Sequence, residues 1–268
     1  MRFAKAHAYG NDFLYVRAAD VAGARLEALA REMCDRHAGV GADGLIVYEA
    51  AADEVRMRLL NADGSKAELS GNGVRALGAL ILQHDARPDA TVAVRTEAGV
   101  KIVSRTGREG SRQFFRTAMG SPRDVRQAPP LDIAGERVHP VVLDMGNPQC
   151  VILGPLPAEP QFHRIGAALE RHELFPERTN VEFAEVEAPD RVRILIWERG
   201  VGPTSSSGTG SCAALVAAAS FGGAGRDAEV VAPGGAQRVE WRPDGVYLTG
   251  WAEVVVEGKW LRQIPRTT

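Results

Sequence analysis

Cysteine is scarce in this chain, with three in 268 residues, Cys34, Cys150 and Cys212, scattered without metal-ligand spacing. No disulfide framework is therefore expected, and the three read as reduced, mostly buried thiols of an intracellular protein. The six histidines and the acids show no H-E-x-x-H or Cys-pair pattern either, so no metal is expected. Long apolar runs are missing as well. None approaches the roughly 20 residues of a membrane span. Met1 leads straight into a polar, strand-like segment, and the expectation is no signal peptide and a cytoplasmic location. Nor is there an excess of one charge. A formal net charge of −2 gives no electrostatic case for nucleic acid or an anionic membrane. Low-complexity tracts are absent. What remains is ordinary globular material: 45% hydrophobic residues can build real cores, and the length fits one large or two medium domains.

Two stretches stand out. Trp197–Ala214 reads WERGVGPTSSSGTGSCAA and runs from an acid and a base, Glu198 and Arg199, through Ser207-Gly208-Thr209-Gly210 into an apolar run. Asn61–Leu82 reads NADGSKAELSGNGVRALGALIL and places Ser70-Gly71-Asn72-Gly73 ahead of another. Small residues before a helix leave its first N–H groups bare, a ready site for a carboxylate or phosphate, although Ser/Thr capping of an ordinary junction looks the same. A second pair of landmarks, Gly10-Asn11 and Gly146-Asn147, recurs at matched distance. Asn11 to Ser70 is 59 residues and Asn147 to Ser207 is 60. The spacing predicts two similar halves.

Patterning fills in the rest. Phe3–Val16 reads as two strands broken by Tyr9-Gly10-Asn11-Asp12, and Arg25–His37 as a helix. Gly39–Gly44 is not a dinucleotide loop, because it precedes the strand Leu45–Tyr48 instead of following one into a helix. Val55–Leu60 is a strand, and Thr91–Thr96 with Val100–Ser104 a hairpin around Ala98-Gly99. Gln113–Met119 is another strand, and Gly120 through Pro130 has the composition of a linker. The second half repeats the plan, with strands over Val138–Met145, Cys150–Leu153, Asn180–Glu187 and Arg191–Glu198. A helix spans Phe162–Arg171, and closing strands run from Glu229 to Val256. Each half is mostly strand around one long apolar helix.

The motifs GNDF (Gly10–Phe13), GVGAD (Gly39–Asp43), NADGS (Asn61–Ser65), SGNGVR (Ser70–Arg75), MGNPQC (Met145–Cys150), TNVEF (Thr179–Phe183) and WERGVG into SGTG (Trp197–Gly210) come in one order over most of the chain. In that order they resemble the diaminopimelate epimerases, cofactor-independent enzymes that invert one centre of diaminopimelate on the lysine and peptidoglycan route. The resemblance implies an α/β (α+β) fold of two pseudo-symmetric domains, each a curled, mostly antiparallel sheet around a central helix. These would span residues 1–118, rejoined by the tail 257–268, and 119–256, with the substrate in the cleft between them. It implies no pyridoxal phosphate or other cofactor, and a homodimer by analogy.

Racemising an amino acid without a cofactor needs one group to remove the Cα proton and another, on the opposite face, to return one. The α-carboxylate must be held where charge builds up. Gly71, Asn72, Gly208 and Thr209 match the family's cradle for it, and Asn11, Asn61, Asn147, Asn180, Glu198 and Arg199 match positions that hold the substrate's polar ends. The two acid/base positions are cysteines in the family. Here they are Ser70 and Ser207, and a serine hydroxyl does not ionise usefully near neutral pH without an adjacent base. Gln149 replaces a supporting histidine and cannot carry a proton. Gly44 and Pro203 stand where the family usually has Gln and Glu. Cys150 and Cys212 match positions away from the chemistry. Three readings follow: an epimerase or racemase of a related amino acid; a lyase or isomerase with one base, Glu198 or else Asp12 or His7; and a non-catalytic amino-acid-binding paralogue.

Overall fold

The computed structural model describes residues 1–51, 54–67, 70–97 and 99–266. The chain divides into two compact units, Met1–Thr117 with Trp251–Thr268, and Ala118–Gly250.

The first unit opens with β1 (Arg2–Ala8) and β2 (Asn11–Arg17), an antiparallel hairpin. Its turn residues Tyr9 and Gly10 both have positive φ, 55° and 86°, as a two-residue turn matched to the strand twist requires. α1 (Leu26–Cys34) leads to β3 (Gly44–Ala50), parallel to β2, and β4 (Val55–Asn61) returns antiparallel with the short β5 (Lys66–Ala67) beside it. α2 (Gly71–Ile81) then leads to β6 (Thr91–Thr96), parallel to β4, and β7 (Gly99–Glu109) and β8 (Arg112–Gly120) follow antiparallel. Ala98, half of the turn expected between β6 and β7, lies outside the described residues, as do Thr267 and Thr268 of the expected tail.

The second unit adds β9 (Arg123–Gln127) and a small hairpin of β10 (Leu131–Ile133) and β11 (Glu136–Val138) before it repeats the same plan. β12 (Pro140–Asp144) and β13 (Pro148–Leu153) pair antiparallel, α3 (Glu159–Glu170) follows, and β14 (Asn180–Ala188) lies parallel to β13. β15 (Arg191–Glu198) returns antiparallel with the short β16 (Gly202–Thr204) beside it. After α4 (Gly208–Ala217) comes β17 (Asp227–Ala232), parallel to β15, then β18 (Gly235–Arg242) and β19 (Gly245–Lys259) antiparallel in turn. The order of pairings is the same in both halves, strand for strand.

The composition between Gly120 and Pro130 predicts a linker, but five of those residues form β9, paired with β12 so that Gln127 faces Val141. Arg123, Asp124, Arg126 and Gln127 are exposed and show no apolar alternation, so backbone hydrogen bonds rather than burial make this strand. The last two expected strands are one, the 15-residue β19, whose far end pairs with β1.

Each half closes its core on one helix. α2 packs Val74 and Leu77 among Leu59, Val94, Val103 and Phe115. α4 is apolar all round, and Leu215 and Val216 are buried with Val151, Ile194 and Val230. A helix with no polar stripe is stable only when buried on every side, and each such Leu or Val contributes about 1.5–3 kcal/mol. The cores fix where the two helices begin.

Candidate active site

Both central helices start on a serine in extended conformation, Ser70 (φ −131°, ψ 118°) and Ser207 (φ −139°, ψ 128°). Ser70 Oγ accepts from Gly73 N–H and Ser207 Oγ from Gly210 N–H, each at 3.1 Å. The caps satisfy one donor apiece. The N–H groups of Gly71 and Asn72, and of Gly208 and Thr209, have no acceptor within their own helix, and the helix dipole places partial positive charge there. A Cβ on Gly71 would meet nothing within 4 Å, whereas one on Gly208 would sit 3.2 Å from Leu248.

In the first half Asn11, Asp12 and Asp43 share one polar network with Arg36 and Lys5, and His7, Asn61 and Asn72 are held by separate partners. Asn11 Nδ2 donates to Asp43 at 2.8 Å, and Asp43 also accepts from Arg36. Asp12 accepts from Arg36 at 2.8 Å and forms an ion pair with Lys5 at 2.8 Å. Burial would raise the Asp12 carboxyl, but the hydrogen bonds and charges of Arg36 and Lys5 outweigh it and hold it below the usual range. Asp12 is thereby a structural anion and a poor base. His7 hydrogen-bonds Glu253 at 3.0 Å. Asn61 Nδ2 donates to Ser65 Oγ at 2.9 Å, and buried Asn72 Oδ1 accepts from Arg75 at 3.3 Å. Gly44 has a steric reason to be glycine. A Cβ there would lie 2.6 Å from the Leu60 carbonyl oxygen.

The second half is tied together differently. Asn180 Oδ1 accepts from Arg199 N–H at 2.9 Å while its Nδ2 donates to the Pro148 carbonyl at 3.2 Å. The Arg199 guanidinium donates to the Glu177 carbonyl at 3.1 Å. Glu170, unremarked in the sequence, accepts from Trp197 Nε1 at 2.8 Å and Gly200 N–H at 3.0 Å, and so fixes the loop that carries Glu198. Pro203 sits on β16 opposite Trp197. Gln149, fully buried, reaches Asn147 Oδ1 at 2.6 Å and lies 3.0 and 3.2 Å from the two carboxyl oxygens of Glu182.

Glu182 is the residue sequence reasoning passed over, as the acid inside TNVEF. Its side chain is fully buried, and burial together with the charge of Glu198 pushes its carboxyl well above the ordinary range. With Glu182 protonated, its O–H donates to Gln149 Oε1 while Gln149 Nε2 donates to Asn147. With Glu182 ionised, the amide turned over donates to both carboxylate oxygens. A Cβ on Gly210 would lie 2.6 Å from Glu182 Oε1 and 3.2 Å from Ser207 Oγ, so both oxygens border the same space beside Gly210 at the start of α4. The signal in the sequence was an acid flanked by Val181 and Phe183 on a strand.

The strand registers show which residues correspond. β2 and β3 pair Phe13 with Gly44, and β13 and β14 pair Gln149 with Asn180, so Phe13 matches Gln149 and Ile46 matches Glu182. β4 ends at Asn61 as β15 ends at Glu198. A Cβ on Gly73 would lie 2.9 Å from Ile46 Cδ1 and 3.4 Å from Ser70 Oγ, the same arrangement as at Gly210. The caps are alike, but behind them one half is apolar and the other holds carboxyls.

A duplicated α/β fold with a serine-capped, glycine-rich helix start in each half defines a protein of the epimerase and racemase fold. Its likeness to a probable proline racemase from Agrobacterium radiobacter K84 has a TM-score of 0.73 over 98% of this chain and 93% of that one, at 16% identity. The pattern of the family described as diaminopimelate epimerase matches residues 3–125 and 141–255. A diaminopimelate epimerase from Desulforudis audaxviator (strain MP104C) is 41% identical over 98% of this chain and all of its own length. One from Desulfovibrio desulfuricans (strain ATCC 27774 / DSM 6949 / MB) is 38% identical over 97% and 98%. The chain belongs to the diaminopimelate epimerase family. Among the described residues, no helix is long and apolar enough to cross a membrane.

Proposed function

We propose that this protein is a cofactor-independent isomerase that inverts the α-carbon of diaminopimelate or a closely related amino acid, with Ser70 and Ser207 at the two proton-transfer positions. The observation that carries the reading is the repeated cap, a hydroxyl held at 3.1 Å by the third N–H of a helix whose earlier N–H groups await an anion. The N–H groups of Gly71 and Asn72 and of Gly208 and Thr209 take the α-carboxylate. As Cα loses its proton, negative charge spreads into that carboxylate, where fixed N–H dipoles stabilise it most. Asn11, Asn61, Asn147, Asn180, Glu198 and Arg199 hold the amino groups and the distal end, and Gln149 supports Ser207. Asymmetry behind the caps supports a second reading, an isomerase or lyase with a single base, because Ile46 offers Ser70 nothing titratable. We also place the protein in the cytoplasm as a homodimer, a reading supported by three free, buried cysteines and by the exposed Val255 and Val256 on β19.

Incubation with LL-diaminopimelate and chiral separation of the products tests the reading. Appearance of the meso isomer is expected. Binding without any new stereoisomer or elimination product would leave only the non-catalytic paralogue.

A further inference from the structure

We propose that Glu182 is the proton acceptor behind Ser207, standing in for the ionisable thiol that the serine lacks. The inference rests on the epimerase reading above and adds to it the group that makes one serine competent. As Ser207 Oγ takes the Cα proton, its own hydroxyl proton passes to the Glu182 carboxylate, leaving a carbanion and a neutral Glu182. In the reverse direction the Glu182 acid returns its proton to Oγ as the Ser207 proton goes to Cα. One proton moves onto the carboxyl for each that leaves carbon, so no free alkoxide forms.

Four features of the second half support the assignment. Glu182 Oε1 and Ser207 Oγ lie 2.6 and 3.2 Å from the point where a Gly210 Cβ would stand; among the described residues no hydrogen bond joins them at rest, and glycine leaves open the space across which they close for the transfer. The carboxyl is fully buried at the helix N-terminus, where partial positive charge steadies its ionised form. Gln149 serves both states of Glu182 by presenting either its oxygen or its nitrogen at 3.0 Å, which a fixed donor could not do. The titratable groups around Glu182 are Glu198 from β15 and Cys150 from β13. α4 brings Ser207 and, within the apolar core, Cys212. No cation neutralises Glu182 among the described interactions, so the carboxyl stays free to change protonation state.

The first half lacks the device. Ile46 occupies the equivalent place behind Ser70, and Phe13 that of Gln149. Ser70 is partly exposed, so its proton exchanges with solvent, whereas Glu182 is buried. In this direction Ser207 with Glu182 removes the Cα proton, and Ser70 gives its own proton to the opposite face and takes one from water. The hydroxide so formed is neutralised when Glu182 passes its proton through Ser207 to solvent before the next turnover.

The test is the rate of Cα–H exchange in D2O across pH for the full-length wild type, Glu182→Gln and Glu182→Asp, with diaminopimelate as substrate. Gln is a neutral isostere of the protonated side chain and keeps its volume. Wild-type exchange should rise with pH through a value above the ordinary carboxylate range. In Glu182→Gln that rise should vanish and the saturating rate fall at least 100-fold with KM unchanged, while Glu182→Asp recovers part of the rate. A rate in Glu182→Gln equal to wild type, or a change in KM alone, would overturn the assignment and leave the epimerase reading standing. No exchange in the wild type at any pH would overturn both. Should Glu182→Gln fail to fold, carboxyl 13C NMR of the wild type decides, because the Glu182 titration must coincide with the rise in rate.

Discussion

Ile46 and Glu182 occupy the same place in the two halves, each on the strand parallel to the hairpin and each with its side-chain tip against the third residue of the central helix. One half puts a methyl group behind its capping serine and the other a carboxyl. Duplication supplied the frame, and the two copies then took different chemistry.

The buried carboxyl has a cost that depends on pH. Glu182 titrates higher in the folded chain than in the unfolded one, so between those values the native state binds more protons and stability falls as pH rises. The loss begins near the ordinary Glu value of about 4.3 and amounts to about 1.4 kcal/mol per pH unit until the folded value is reached. Glu182→Gln should match the wild type at pH 4 and exceed it in stability at pH 8, as measured by urea unfolding at both. Equal stabilities at pH 8 would mean that folding does not raise the Glu182 carboxyl above its ordinary range.

Each capping serine satisfies a helix donor whatever its catalytic role. Ser70→Ala and Ser207→Ala should each cost about 1 kcal/mol, and the corresponding glycine variants only a few tenths. Thermal or denaturant unfolding checks this. A silent alanine variant would show that the hydrogen bond to Gly73 or Gly210 does not form.

The two third-position glycines should respond differently to the same change. In Gly73→Ala the new methyl meets Ile46 Cδ1, the flexible end of a side chain, and the gain in helix propensity of about 0.5–1 kcal/mol offsets the adjustment. In Gly210→Ala it meets the Glu182 oxygen at 2.6 Å beside Ser207 Oγ, in a packed polar cluster. A loss of about 1–3 kcal/mol is expected there. Comparable unfolding midpoints for the two variants would contradict the placement of Glu182.

Much of this was readable in the sequence. The matched spacing of Asn11–Ser70 and Asn147–Ser207 announced the duplication, and the Ser-Gly starts ahead of apolar runs, with helical spacing elsewhere, placed the four α-helices to within a few residues. What escaped was held by backbone pairing or by tertiary contact. β9 lacks an apolar face, and Glu170 and Glu182 gain their meaning only from strands and loops distant in the chain. At Gly44, where the family usually has Gln, the structure adds what the sequence could not show: a Cβ there would lie 2.6 Å from the Leu60 carbonyl oxygen.

Restoring the thiols should raise the rate. A thiol titrates near 8.5 and a helix N-terminus lowers it further, so Ser70→Cys with Ser207→Cys gains an ionisable group in each half. Adding Gln149→His places a second proton carrier against Glu182. General acid–base groups of this kind contribute about 100- to 10,000-fold, and the triple variant should exceed the wild type by a factor in that range in epimerisation of diaminopimelate. A triple variant that folds and gains nothing would place the limiting defect in substrate binding, away from the serines.

The most direct measurement is Cα–H exchange in D2O, followed by NMR, with LL- and meso-diaminopimelate and then a panel of L-amino acids. Deuterium should enter at Cα in the wild type and be abolished by Ser70→Ala and by Ser207→Ala. Calorimetric binding of the same amino acids with no deuterium at Cα would contradict the epimerase account and leave a binding protein on an epimerase fold.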